Sequence, residues 1–169
     1  MRDLRTIGRV LLASVVLAVV ASGCMPASYR HARRLEGRYD VGDPGEGWKR
    51  VSPGGADNAW YNASLGASIY TDSTCGPRYV DAEPADLATE LEAGLRERAT
   101  LKDEVVTIEG RAGVQRVHRG LVDGVPVQVA TTVVNKDYCT YDFAMIGNPD
   151  AFDAGWPAYQ DLLSGFRAP

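Results

Sequence analysis

Two histidines and three cysteines in 169 residues leave little material for a transition-metal centre or a thiol active site. Positive charge is also in short supply. Eighteen Lys and Arg stand against 22 Asp and Glu, which argues against a nucleic-acid binder with its usual basic surplus. There is no G-x-S-x-G elbow, no phosphate loop and no dinucleotide glycine fingerprint. The one long apolar run, Val10 to Ala21, is too short to span a hydrocarbon core, which takes about 20 helical residues. What is present suffices for a core: 45% of the residues are hydrophobic, which excludes a wholly disordered chain. Eighteen glycines and nine prolines without a triplet period signal turns rather than collagen. The length predicts one domain with an appendage.

Residues 1–23 read as an address. Three Arg and one Asp in Met1–Arg9 precede the apolar run, the order of a secretory signal. The run ends in Ala21-Ser22-Gly23-Cys24, which resembles the lipobox of bacterial lipoproteins. That resemblance implies cleavage before Cys24, a diacylglycerol on its thiol and an acylated new amine. Cys24 is then the lipidation site, and the chain belongs to the bacterial cell envelope. Met25, where Asp would signal retention, implies delivery to the outer membrane facing the periplasm. Ala21 stands where the box most often has Leu. Cleavage after Gly23 by the ordinary signal peptidase, leaving Cys24 a free thiol, is therefore the other reading.

Residues 24–46 are expected to be the lipidated N-terminus and a flexible tether, because Pro26, Gly37, Gly42, Pro44 and Gly45 interrupt any apolar period. Residues 25–44 hold four Arg against Glu36, Asp40 and Asp43, a net of +1. Residues 45–169 hold 11 basic and 18 acidic side chains, a net of -7. A basic stem beside a lipid anchor can rest on anionic headgroups, at about 1 kcal/mol per charge. A solvated linker is the plainer reading of the same charges.

Residues 47–169 are expected to form a single α+β domain. Trp48–Val51, Asn58–Ala63 and Gly66–Thr74 read as strands, the last two as a hairpin. Ala59, Tyr61, Ala63, Ala67 and Ile69 share odd positions, but Trp60 and Tyr70 on even ones blur the alternation. Pro84 and Asp86 open a helix on which Leu87, Leu91 and Leu95 form an apolar stripe backed by Glu90, Glu92, Arg96 and Glu97. Thr100–Gly110 is extended. Gly113–Val122 runs into the turn dipeptide Asp123-Gly124. After it, Val125, Val127, Val129, Thr131 and Val133 predict a core-facing odd row, and Tyr138–Ile146 carries Cys139, Tyr141, Phe143 and Met145 on one face. Phe152, Trp156, Tyr159, Leu163 and Phe166 predict a C-terminal helix, interrupted near Pro157, that lids the sheet.

This order, the strand at Gly113 with its Asp-Gly hairpin, and the ending Leu162-Leu163-Ser164-Gly165-Phe166-Arg167 resemble the PsbP-like group over residues 47–167. The resemblance implies an α/β/α sandwich with helices on a mostly antiparallel sheet. Members of that group are largely non-enzymatic: photosystem accessory subunits, small-GTPase binders and bacterial lipoproteins.

With Cys24 assigned to lipid, Cys75 and Cys139 remain in a compartment that permits disulfides. Each falls on the inward row of its strand, so a bridge is expected, with two separate buried thiols as the alternative. His118 is the one histidine of the domain, flanked by Arg116 and Arg119, and reads as structural. Asp72, Asp81, Glu83 and Asp86 lack the spacing of a calcium loop and read as solvated. The expectation is accordingly no catalytic set, no metal and no cofactor. Two functions stay open. One is a non-catalytic interaction or accessory module that docks on another envelope protein, with Trp60, Tyr70 and Tyr79 as candidate anchors. The other is a small-ligand binder with a cleft between sheet and terminal helix, lined by Tyr141, Trp156 and Tyr159.

Overall fold

The protein is described here by a computed structural model over residues 33–76 and 82–169. The signal segment, Cys24 and Tyr79 lie outside the described residues. The elements are β1 (Lys49–Arg50), β2 (Asn58–Asn62), β3 (Ala67–Cys75), α1 (Pro84–Leu91), β4 (Arg96–Ile108), β5 (Arg111–Val122), β6 (Val125–Lys136), β7 (Cys139–Gly147) and α2 (Phe152–Ser164). The strands form one antiparallel sheet in the order β1-β2-β3-β7-β6-β5-β4. This is the expected α+β class.

Tight turns account for the meander from β4 to β7. Asp123 and Gly124 both take positive φ (50° and 81°), the twist that suits a two-residue hairpin. Glu109-Gly110 and Asp137-Tyr138 do the same at the other two corners. Of the three, only Asp-Gly was a turn signal in the sequence. An even-membered turn exchanges the parity of the buried face. Trp60 therefore sits opposite Ile69, and Tyr61 opposite Ser68. The odd row expected to continue from Tyr61 to Ile69 is split: Trp60 and Ile69 point inward, while Tyr61 and Tyr70 point out.

The inner face carries the main core. One row of it runs Arg50, Trp60, Ile69, Met145, Ala130, Val117, Lys102 across all seven strands. Each end is closed by a cation over an indole, Arg50 over Trp60 at 5.5 Å and Lys102 over Trp156 at 5.3 Å. α2 lies on this face with Phe152, Tyr159, Leu162 and Leu163 buried. It runs unbroken through Pro157, contrary to the expected interruption, because the proline faces solvent and its missing N–H falls on the wet side. Gly155 lets the helix approach Met145. β6 is covered on both sides. Its odd residues Thr131 and Val133 are buried under α1, and its even residues Ala130, Thr132 and Val134 under α2. The odd row is thus only one of its two buried faces.

Two expectations are corrected by packing. The tether does not extend to residue 46. Leu35, Tyr39 and Val41 pack on the main core, Asp40 bridges Arg167, and the Gly42 N–H donates to the Leu162 carbonyl. Gly42 and Gly165 meet so closely that a Cβ on either would collide with backbone. The domain therefore includes a strap that starts by Leu35. The leucine stripe is also broken. α1 is eight residues long and ends at Leu91, which is exposed. Leu87 and Ala88 are buried instead, and Glu92, one turn beyond Ala88, faces the sheet.

Cys75 and Cys139 are register partners on β3 and β7 and are joined by a disulfide, with Cα atoms 4.0 Å apart. The bond closes a loop with a sequence separation of 64, worth about 4 kcal/mol in the chain-entropy account. Replacing both cysteines by alanine should lower the urea unfolding free energy by about that amount without changing the native circular dichroism.

Candidate functional site

Two clusters of polar groups lie on the outer face, and both were missed as sites by the sequence reading. The first centres on Glu92, whose side chain is fully buried. Its Oε2 is 2.8 Å from Arg98 Nη1, 3.0 Å from His118 Nε2 and 3.7 Å from Arg116 Nη1. Its Oε1 accepts from the Thr131 hydroxyl at 2.8 Å. Arg116 also donates to the Ala85 carbonyl and the Thr89 hydroxyl of α1, and reaches Asp103 on β4 at 3.2 Å. A carboxylate beside a histidine has the ingredients of a general base. Here the Thr131 hydroxyl bonds to the carboxylate rather than the imidazole, and His118 is 2% exposed. The arrangement acts as a fastener of α1 to β4, β5 and β6. His118 Nε2 lies beside Glu92, and both of its ring nitrogens are buried.

The second cluster is a carboxyl pair. Asp72 and Asp142 are directly opposed on β3 and β7. Burial, with the Asp72 charge beside it, pushes Asp142 up to about 7, and burial also raises Asp72. Two carboxylates so placed hold a proton in preference to ionising together. Of the four acids read as one solvated loop, Asp72 is in this pair, Asp81 lies outside the described residues, Glu83 is the N-cap of α1 and Asp86 is in its first turn. Among the described residues no three His, Cys, Asp or Glu converge as metal ligands.

The candidate anchors separate. Trp60 is 9% exposed and belongs to the main core beneath Arg50, so it is unavailable to a partner. Tyr70 is 37% exposed on the outer face. Beside it stand Tyr61, 41% exposed, and Val51, whose N–H bonds to Ala59 directly across from Tyr70. The patch continues over half-buried Ala144 and Ile146. α1 packs on β5 and β6, and among the described residues no helix covers this β2-β3-β7 half.

The expected cleft is closed. Tyr159 is buried, with its hydroxyl donating to Thr132 Oγ1 at 2.7 Å and to the Phe143 carbonyl at 3.1 Å. Tyr141 is wedged against Phe166 and Tyr39 at 4.9 and 5.4 Å, and burial pushes its phenol up to about 12. Tyr141 and Tyr159 fill the core and line none of the described grooves. The described grooves are open and peripheral; one of about 510 Å³ lies between the start of α1 and Val105 and Val114.

Glu92→Gln keeps the shape and removes the acceptor charge between Arg98 and His118, and should cost about 1–3 kcal/mol in urea unfolding. Asp142 has a sign opposite to that of a salt-bridged aspartate. Its folded-state value lies above the unfolded value of about 3.9, so the native state binds the extra proton between those limits. Stability should therefore fall as pH rises from about 4 to about 7, and Asp142→Asn should flatten that slope. A set of denaturation curves across this range measures both.

No protein-family model and no curated protein matches the chain by sequence. Solved structures do match by shape. Cyanobacterial PsbP (CyanoP) from Synechocystis superposes with a TM-score of 0.53 at 16% identity, over 73% of this chain and 83% of that one. LpqN of Mycobacterium tuberculosis, a protein involved in cell envelope biogenesis, gives 0.56 at 13% identity, over 78% and 83%. The antiparallel sheet with α1 on one face and α2 on the other is a PsbP-like fold.

Proposed function

We propose that this chain is a lipid-anchored bacterial envelope protein that serves as a non-catalytic interaction module for another envelope protein. The observation that carries the reading is the outer half-sheet, left without a helix among the described residues, with Val51, Tyr61 and Tyr70 exposed together. Tyrosines placed on rigid strands give a partner large contact area at little entropic cost. The lipobox-like Ala21-Ser22-Gly23-Cys24 supplies the anchor, and Met25 favours the outer membrane facing the periplasm. The structural neighbour LpqN is involved in cell envelope biogenesis, which is in keeping with that residence. The closed Glu92–His118 cluster and the filled core favour binding over catalysis. With Cys24 in the bilayer, ten residues separate the anchor from Leu35 on the strap, which holds the domain within about 35 Å of the membrane.

An alkyne fatty acid should label the wild type and leave Cys24→Ala unlabelled; absence of label on the wild type overturns the anchor. Crosslinking from native membranes with tagged full-length protein should enrich one envelope partner. Tyr61→Ala and Tyr70→Ala should each lose it, while the exposed control Val125→Ala should keep it. Enrichment that ignores both tyrosines refutes the surface.

A further inference from the structure

The sheet has two unlike edges. β1 is two residues long and offers little to pair with. β4 is thirteen residues long, and its far side meets no strand among the described residues. An open edge of this length is a template for another strand. The first part of β4 is guarded by Arg96, Glu97 and Arg98 and by register shifts at Arg96/Ala99 and Thr100/Lys102. From Lys102 to Ile108 the ladder with β5 is regular. In that stretch Val105 is 76% exposed, more than any other large hydrophobic side chain described, and Leu101, the extra residue of the bulge just before it, is 53% exposed.

The charges around Asp103 select the occupant. Lys102 and Glu104 flank it on the inner face, where they pair with each other at 2.7 Å, and Asp103 itself pairs with Arg116 on the outer face; addition of a second strand exchanges the first pair for its equivalents across the seam. An antiparallel copy of β4 related by a two-fold axis through Asp103 sets Lys102 opposite Glu104 of the second copy, and Glu104 opposite its Lys102. The same register sets Leu101 opposite Val105 in both directions. Cross-strand pairs of these two kinds are the favourable units of a sheet. The two Asp103 carboxylates meet on the axis, each already beside its own Arg116. Moving the axis one residue sets Lys102 on Lys102 or Glu104 on Glu104, and both registers lose the reciprocal ion pairs. Most helix packing lies away from the seam, α1 on β5 and β6 and α2 on β7 and β3, and the helices reach β4 there through Trp156 beneath Lys102 and through Arg116 beside Asp103.

We propose that β4 is a self-association edge. A second copy of this chain adds to it antiparallel about Asp103, with the isologous contact of a two-fold dimer. This surface lies at the opposite side of the sheet from the Tyr61–Tyr70 patch and stands independently of it.

The test uses single cysteines in the full-length protein in its native envelope, joined with a short bis-maleimide and resolved on denaturing gels. Asp103→Cys should yield a covalent homodimer, and wild type and the exposed control Val125→Cys should not. Lys102→Glu in the Asp103→Cys background should lose the dimer. The double swap Lys102→Glu with Glu104→Lys should restore it, which separates pairing from any loss of folding. A dimer no stronger than the Val125→Cys control, or a crosslink at Asp103→Cys to a different protein alone, overturns the proposal, as does a double swap that fails to restore.

Discussion

Glu92 carries contacts from three strands at once, and the outer layer depends on it. α1 has eight residues, too few to be stable by its own hydrogen bonds, and its apolar contribution to the core is Leu87 and Ala88. The carboxylate, fully buried between Arg98, Arg116, His118 and Thr131, supplies what that small contact does not. A buried charge with so many partners contributes location more than net free energy, because its desolvation offsets most of the attraction. It fixes where the helix sits, over β5 and β6 and nowhere else.

That placement decides which surfaces remain. The inner face is occupied by α2, the strap from Leu35 and a continuous set of aromatic contacts through Tyr39, Tyr141 and Phe166. The outer face is half covered. Its open half presents Tyr61 and Tyr70, and its far edge presents β4. A short helix pinned at one side of a seven-stranded sheet thus leaves two different recognition surfaces: side chains on a face at one end, and backbone on an edge at the other. Between them Asp72 and Asp142 share the same outer face, where burial, with the Asp72 charge beside it, favours the protonated form of Asp142.

The strap ties this geometry to the expected anchor. It crosses the end of α2 through the Gly42–Gly165 contact and bridges Asp40 to Arg167, so the two ends of the domain chain are joined near one another. The disulfide lies on the strands beside it, between Cys75 and Cys139.

The features legible in the sequence were those set by near neighbours along the chain. The Asp123-Gly124 turn follows from positive φ, the inward row Cys139-Tyr141-Phe143-Met145 from period two, and the aromatic row of α2 from period 3.6. The disulfide was legible because both cysteines already lay on inward rows. Contacts from across the fold decided the rest. Trp60 and Tyr61 exchanged roles because a four-residue turn reverses parity, which composition does not show. Glu92 was read as part of a charged back, since a glutamate goes inward only when Arg116, His118 and Thr131 arrive from two later strands to meet it. The strap looked like linker by its glycines and prolines, until the end of α2 provided a surface on which those small residues could pack. The sequence by itself determined the elements and their periods; the tertiary structure decided which polar groups could afford burial, because only assembled strands supply the partners that cancel the cost of leaving water.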